Sequence, residues 1–557
     1  MFHQINWLKQ RWRLLLVLLT PLILLPLPII GKSSQARCGY IVLILTIYWV
    51  FEAIPLPVTS LLPLALFPMA GILPADIVAP HYFKDIITLF FGSMSLAFAV
   101  ETVNLHRRIA LFVLSFVGTS SKWSMAGVMG VTAFLSMWMN NTAATSIMIP
   151  VALAITNELE QHSKVTANTI HDVLDLTKEI RTLPILSNRS TIMEFDENKY
   201  KNLKKGFLLS VAYSASIGGI SSLVGSAPNI FLKGFIDNQY KSTIFRINFL
   251  DFLLFAFPTA FLMLVLCWLW LQITYNRKEL FTFRLDAETR AAQTNLKEML
   301  IKQYNDLGRP KWSEICVGIL FISLILLWVT KDFSVVPGWK IIFRHKYISD
   351  GTVAILCGIL PLILPNTNPF QNNWKYEPIV QWIHLTKHMP WGALLLLGAG
   401  LVVASAFQVS KLSASVAHAL RFLAGIPRAA VIFLVILISG LFTEVTSNIS
   451  TASIFFPILD SVARSSNIHP AFLLLPCTLA VSMAFMLPIA TPPNAIVFAS
   501  GTIRVIDMIK TGIVMNIIAF LMIFLATTTW MPKIYGLNDQ TINIFFNINA
   551  TSFNRTR

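Results

Sequence analysis

The sequence predicts an all-α polytopic membrane protein with about eleven transmembrane helices, two re-entrant hairpins and an internal repeat. Three observations carry this. Of 557 residues, 55% are hydrophobic and only 13% charged, where a soluble domain carries about 25% charged residues. Uncharged apolar runs at 14–30, 252–273 and 513–530 are long enough to cross a bilayer as helix; that at 315–330 is slightly shorter. Two long apolar blocks are broken at matching places by small polar residues. Every backbone polar group in lipid needs an internal partner, so spanning segments are helices or closed barrels. These runs lack the two-residue alternation of a membrane barrel.

In chain order, spans are expected near 13–31, 38–55, 57–74 and 86–103. The first follows Lys9, Arg11 and Arg13, but no small-residue cleavage site comes after it, so it reads as a retained span. A block at 125–155 is interrupted by Asn140-Asn141-Thr142, and a polar segment runs from 158 to 205. Further spans fall near 206–232, 247–273, 314–330, 351–365 and 391–409. A second interrupted block covers 427–462; then come 471–500, with its own break, and 511–532.

The formal charge is +16. On a membrane protein these cations sit in loops and set orientation, so they do not point to nucleic acid. Eight Lys and Arg residues between 277 and 311 mark that loop as cytoplasmic. The tail carries sequons at Asn549 and Asn554, which require a lumenal or extracellular side. A cytoplasmic N-terminus and an extracellular tail need an odd number of spans, which eleven plus two half-crossing hairpins satisfies. The sequon at Asn188 falls in a loop placed inside and is predicted to stay unmodified. The five cysteines are scattered and mostly lie in apolar runs, as small buried hydrophobes do. The ten histidines show no metal spacing. No nucleophile–base pair or phosphate loop occurs, so an enzyme is not expected.

The breaks come in two pairs. Asn140-Asn141-Thr142 is followed by Gly225-Ser226-Ala227-Pro228-Asn229, and Ser447-Asn448-Ile449 by Ala490-Thr491-Pro492-Pro493-Asn494. Ser136 and Asn141 match Thr443 and Asn448; Ser146 and Pro150 match Ser453 and Pro457; Pro228-Asn229 matches Pro493-Asn494. Taken singly, such residues are packing glue or kinks. In matched pairs, broken hydrophobic segments are the sequence signature of a secondary transporter's central site. Unpaired carbonyls with Asn, Ser and Thr oxygens suit a hard cation such as sodium, and exposed helix N-termini suit an anion. Glu444 lies inside an apolar block; an ionisable group there is either functional or a structural carboxylate bonded to hairpin backbone or a neighbouring helix, and the structural role is expected. Glu52 and Glu101 are expected near the membrane interfaces.

The sequence resembles the divalent anion–sodium symporters, the family of sodium-coupled dicarboxylate, citrate and sulfate carriers. The resemblance is carried by Glu52-Ala-Ile-Pro-Leu-Pro-Val-Thr-Ser-Leu-Leu-Pro63, Asn104-Leu-His-Arg-Arg-Ile-Ala-Leu111, Ser136-Met-Trp-Met-Asn-Asn-Thr-Ala-Ala-Thr145 and Phe485-Met-Leu-Pro-Ile-Ala-Thr-Pro-Pro-Asn494. With 218–229 and 443–457 it spans about 38–532.

The resemblance implies an inverted repeat, with a dimeric scaffold and an elevator-type transport domain. The plasma membrane is the preferred location, and an internal membrane with the same lumenal topology fits the sequons equally. On this chain the scaffold would be 1–120 and 274–425, the transport domain 121–273 and 426–532, and the extracellular tail 533–557. One sodium would meet Ser136, Asn140, Asn141 and the Gly225 carbonyl. The other would meet Thr443, Thr446, Asn448 and the Ala490 carbonyl. A di- or tricarboxylate, of the succinate or citrate class, would lie near Asn140, Asn141, Thr142, Ser226, Ser447, Asn448, Thr491 and Pro492. Two positions depart from the family pattern: Asn140 replaces Ser and Ile449 replaces Thr or Val. Ile449 leans towards carboxylates over sulfate. A sodium-independent exchanger or leak, a sulfate carrier, and a non-transporting anion sensor are the alternatives on the same fold.

Overall fold

The apolar runs form helices whose outer faces stay apolar. The computed structural model describes residues 2–116, 120–178, 189–240, 245–277, 287–332, 338–344, 347–372, 374–419 and 425–537. Among these, helices dominate, and β structure is a single bridge between Pro365 and Pro378. Among the described residues seven helices are long and apolar enough to cross a membrane, and four apolar helices are shorter. The sequons at Asn188, Asn549 and Asn554 lie outside the described residues.

The chain opens with α1 (Phe2–Leu24), α2 (Ser34–Phe51) and α3 (Leu56–Met69). Ser33 caps α2 by accepting from the Ala36 amide at 3.1 Å. Glu52 ends α2 in the left-handed region, φ 45°, and is exposed, in keeping with a place at an interface. Next are α4 (Asp85–Thr102) and α5 (Leu105–Phe116), joined by a turn in which Asn104 has φ 57°. The Asn104–Leu111 passage owes much to Arg108: its guanidinium pairs with Glu314 at 2.6 Å and donates to the Gly308 carbonyl at 2.9 Å.

The first half of the repeat comprises α6 (Ser121–Ser136), α7 (Asn141–Lys178), α8 (Arg189–Gly219), α9 (Ala227–Gln239) and α10 (Phe249–Tyr275). Helix thus occupies much of the polar 158–205 segment. After it come α11 (Ala287–Asp306), α12 (Trp312–Thr330), α13 (Asp350–Ile363) and α14 (Trp391–Val409). The second half comprises α15 (Arg428–Phe442), α16 (Asn448–Ser465), α17 (Ala471–Ala480), α18 (Pro492–Ala499) and α19 (Val505–Thr529). Helix α10 shows how a spanning segment divides: it buries Phe252, Phe255 and Met263 and exposes Leu254, Phe257 and Phe261. The cysteines are free; four are buried and Cys316 is half-buried.

Small residues set the closest contacts, as expected where van der Waals packing drives helix association. A Cβ at Gly92 of α4 would fall 2.4 Å from the Ala354 carbonyl carbon of α13, and Ser95 donates to the Gly358 carbonyl at 2.7 Å. At Gly218 of α8 a Cβ would fall 2.2 Å from the Ala133 oxygen of α6.

The two halves interlock. In each, the helix before the break (α8 or α17) packs on both hairpin arms of its own half. The short helix after the break crosses over: α18 packs on α7 and α8, and α9 on α16 and α17.

The breaks start earlier than the Gly225 and Ala490 positions expected. Helix α8 stops at Gly219 and α17 at Ala480. Two asparagine amides bridge the carbonyls that the breaks release. Asn229 Nδ2 donates to the carbonyls of Gly219 and Ser222, at 3.1 and 2.7 Å. Asn494 Nδ2 donates to those of Ala484 and Leu487, at 3.1 and 3.0 Å. Each amide replaces hydrogen bonds that the interrupted helix cannot make. Asn494→Leu orphans the Ala484 carbonyl, at about 1–3 kcal/mol for the buried group, and leaves that of Leu487 with the Ala490 amide alone. The purified, detergent-solubilised variant is expected to melt well below the wild type, and Asn494→Asp, which lacks the donor, to do no better. Wild-type melting of both would refute this bridging role.

Candidate functional site

The hairpin tips are turns that an apolar helix pair cannot close without polar side chains. Residues 137–140 join α6 to α7, and 443–447 join α15 to α16. At the first tip the Ser136 hydroxyl lies 2.6 Å from both Asn141 Oδ1 and the Ala215 carbonyl. At the second, the Thr443 hydroxyl lies 3.0 Å from Asn448 Oδ1 and 2.8 Å from the Val481 carbonyl. The two tips therefore carry the same triad: a hydroxyl, an asparagine oxygen five residues on, and a carbonyl from the broken helix of the same half.

The breaks close on these triads. Gly219 lies against Asn141, where a Cβ would stand 2.3 Å from Oδ1. A Cβ at Gly225 would stand 2.9 and 3.0 Å from the Met137 and Ser136 carbonyl oxygens. Ser222 donates to the Met137 carbonyl at 2.6 Å and accepts from the Gly225 amide at 3.1 Å. The structure thus brings Ser136, Asn141 and Gly225 together, and Thr443 with Asn448. Thr446, also at the second tip, is buried, donates to the Phe442 carbonyl at 3.0 Å and shares a 2.6 Å contact with the Thr451 hydroxyl. Ala490 is buried at the end of the second break.

The remaining expected residues start helices. Asn140 is exposed, and its Oδ1 caps α7 by accepting from the Ala143 amide at 2.7 Å. Ser447 caps α16 through the Ser450 amide at 3.3 Å, and Thr491 caps α18 through the Asn494 amide at 3.4 Å. Ser226 does not cap α9. Its hydroxyl lies 3.3 Å from that of Ser482, linking the first break to the second. Pro492 is exposed at the start of α18. Thr142 and Asn140 line a cavity of about 210 Å³, whose other wall includes Phe98 and Glu101 of α4 and His388. Ile449 is buried in the core, so this departure from the family pattern lies off the open face of the tip.

Glu444 has the structural role. It accepts from the Phe485 amide at 2.9 Å, from the Met486 amide at 3.1 Å, and from Asn516 Nδ2 at 2.6 Å. It ties the second tip to the second break and to α19. Sequence reasoning missed Gly219, Ser222 and Asn516, whose roles depend on partners distant in the chain. Asn229 and Asn494 carried a usable signal, an asparagine three residues after Ser226 and Thr491 in both halves.

Chemically, the triads offer neutral oxygens of the hydroxyl, amide and carbonyl kinds, the donor set of a hard cation. Among the described residues no group of His, Cys, Asp and Glu could hold a metal ion. Four helices begin at these tips and breaks, and helix N-termini favour anions.

The model of the sodium:sulfate symporter transmembrane region matches residues 7–537. The chain belongs to this family. Among its relatives are the Na(+)/citrate cotransporter of Mus musculus, 38% identical over 94% of this chain and 95% of the relative. Solute carrier family 13 member 2 of Homo sapiens is 39% identical over 94% of this chain and 93% of the relative. The Na(+)/dicarboxylate cotransporter 3 of Homo sapiens is 36% identical over 95% of this chain and 94% of the relative. Membership agrees with the polytopic helical architecture.

Glu444→Ala strands the buried Phe485 amide, the half-buried Met486 amide and the Asn516 side chain. Surface labelling is expected to show much less of this variant, while the copies that arrive keep a near-normal half-saturating sodium concentration. Normal delivery with a large shift in that concentration would instead make Glu444 part of a cation site.

Proposed function

We propose that this chain is a sodium-coupled symporter of small divalent anions of the di- and tricarboxylate class. The observation that carries this reading is the pair of equivalent triads, Ser136–Asn141–Ala215 and Thr443–Asn448–Val481, each beside a helix break. Two such oxygen clusters suit two sodium ions. One ion meets Ser136, Asn141 and the Gly225 carbonyl. Asn140 adds its amide oxygen, which also caps α7 as the Ser447 hydroxyl caps α16. The other meets Thr443, Thr446, Asn448 and the Ala490 carbonyl. Sodium orders the tips, and the anion completes the site among Thr142, Ser226, Ser447, Thr491 and the tip asparagines. The relatives named above, cotransporters of citrate and of dicarboxylates, support a carboxylate substrate.

In this reading eleven spans and two half-crossing hairpins form a scaffold (1–120, 274–425) and a transport domain (121–273, 426–532) that slides against it. The protein works as a homodimer in the plasma membrane, with its N-terminus inside and its tail outside.

Uptake of labelled succinate, citrate and sulfate by expressing cells, in sodium and in choline buffer, tests the coupling. Sodium-dependent uptake of a carboxylate is expected, abolished by Asn448→Ala at normal surface level. Uptake indifferent to sodium would overturn the coupling and keep the fold.

Sliding is tested where α9 meets α4. A Cβ at Gly234 would lie 3.1 Å from that of Ile86, close to disulfide range. Oxidation of Gly234→Cys/Ile86→Cys is expected to stop uptake, and reduction to restore it. Continued uptake by the cross-linked protein would overturn the sliding motion.

A further inference from the structure

One buried ion cluster lies away from the tips, where α9 meets the ends of α12 and α13. Lys233 of α9 has its ammonium 3.2 Å from Asp350 Oδ2, 3.4 Å from Asp237 Oδ2 and 3.0 Å from the Ile247 carbonyl. Asp350 opens α13 and is 2% exposed. Its other oxygen pairs with Lys331, just beyond the end of α12. Asp237 sits one turn along α9 from Lys233, with its side chain 44% exposed. Around this quartet Lys84 bonds Asn238, and Ser349 bonds Asp85.

The quartet sums to zero, and it divides in a particular way. Lys233 and Asp237 both ride on α9. Lys331 and Asp350 both belong to α12 and α13 and the residues beside them. If α9 leaves α13, the quartet separates into two pairs, each neutral. Breaking a buried pair is ordinarily costly because it leaves one charge without a partner. Here neither charge is left so. The contact that would be lost is an ion pair without a well-directed hydrogen bond: Asp350 Oδ2 is buried, and Lys233 faces it at 3.2 Å, against 3.4 Å to Asp237 Oδ2.

We infer that Lys233 and Asp350 form a releasable latch between the two bodies, and that Asp237 is the positioning residue that lets Lys233 go by serving as its travelling counter-ion. The inference rests on the two-body motion proposed above. It assigns these residues to the translocation step, away from the binding of sodium or anion.

The test is a charge cycle read as kinetics per surface copy. Asp237→Asn removes the travelling partner, so release strands the Lys233 ammonium. Maximal uptake is expected to fall about fivefold or more, with half-saturating substrate and sodium changed by less than about twofold, the pattern of a lost interaction outside ground-state binding. Adding Lys233→Met to that background removes the stranded charge and is expected to restore most of the rate. A merely structural role would not give a rate rescued by a second lost charge at constant surface level. Wild-type rate in Asp237→Asn, or a double variant as slow as the single one, overturns the latch. If that happens while the Gly234–Ile86 cross-link still arrests uptake, the latch alone fails. If the cross-linked protein transports, the two-body motion fails and the latch with it.

Discussion

A peptide group without a hydrogen-bond partner costs several kcal/mol in a membrane interior, and the two broken helices release several such groups. Most of the polar chemistry at the centre of this protein answers that cost. Asn229 and Asn494 bridge the released carbonyls, Glu444 holds the amides of Phe485 and Met486, and Ser222 closes the first break on its tip. What remains around Ser136–Asn141 and Thr443–Asn448 is a set of oxygens held in place by groups already satisfied. The sodium sites proposed there, made without carboxylates, would depend on this division of labour: neutral ligands bind a cation usefully only when their positions are fixed beforehand.

Composition and run length were enough to read the helical membrane class, because lipid leaves so few alternatives. The repeat was legible too, since Ser136 and Thr443, Asn141 and Asn448, and the two Pro-Asn pairs recur at matching offsets. The extent of the breaks was not legible. The helices stop at Gly219 and Ala480, well before Gly225 and Ala490, and the carbonyls inside each break are bridged by an asparagine further along the chain. The motif at Asn140 did not show that its oxygen also caps α7 through the Ala143 amide. Glu444 has partners 41 and 72 residues away, a relation no local pattern contains. The same holds for Lys233 and Asp350.

Two kinds of helix contact divide the structure by stiffness. Between α4 and α13, backbone meets backbone at Gly92 and Gly358, and Ser95 bonds across. Such a contact has one geometry. Along α9 the surroundings differ. Gly234 leaves room for Ile86 of α4, and Gly400 of α14 faces the flat ring of Phe231. Apolar surface against apolar surface carries little directional penalty, so the directional element at this boundary is the ion cluster. Aromatic stacking adds to it where Phe249 meets Trp328 at 5.0 Å.

The crossing of the two halves also bears on how the chain is made. Helix α18 lies on α7 and α8, Ser226 reaches Ser482, and Tyr213 donates to the Phe485 carbonyl. None of these later partners exists when the ribosome has just delivered the first half. The first break must enter the bilayer half-finished and wait, sheltered by its own hairpin and by Asn229, until the last helices arrive. The central site therefore cannot be complete before the second half has been made. A chain cut short before α18 would carry every residue of the first tip and still lack the wall it closes against.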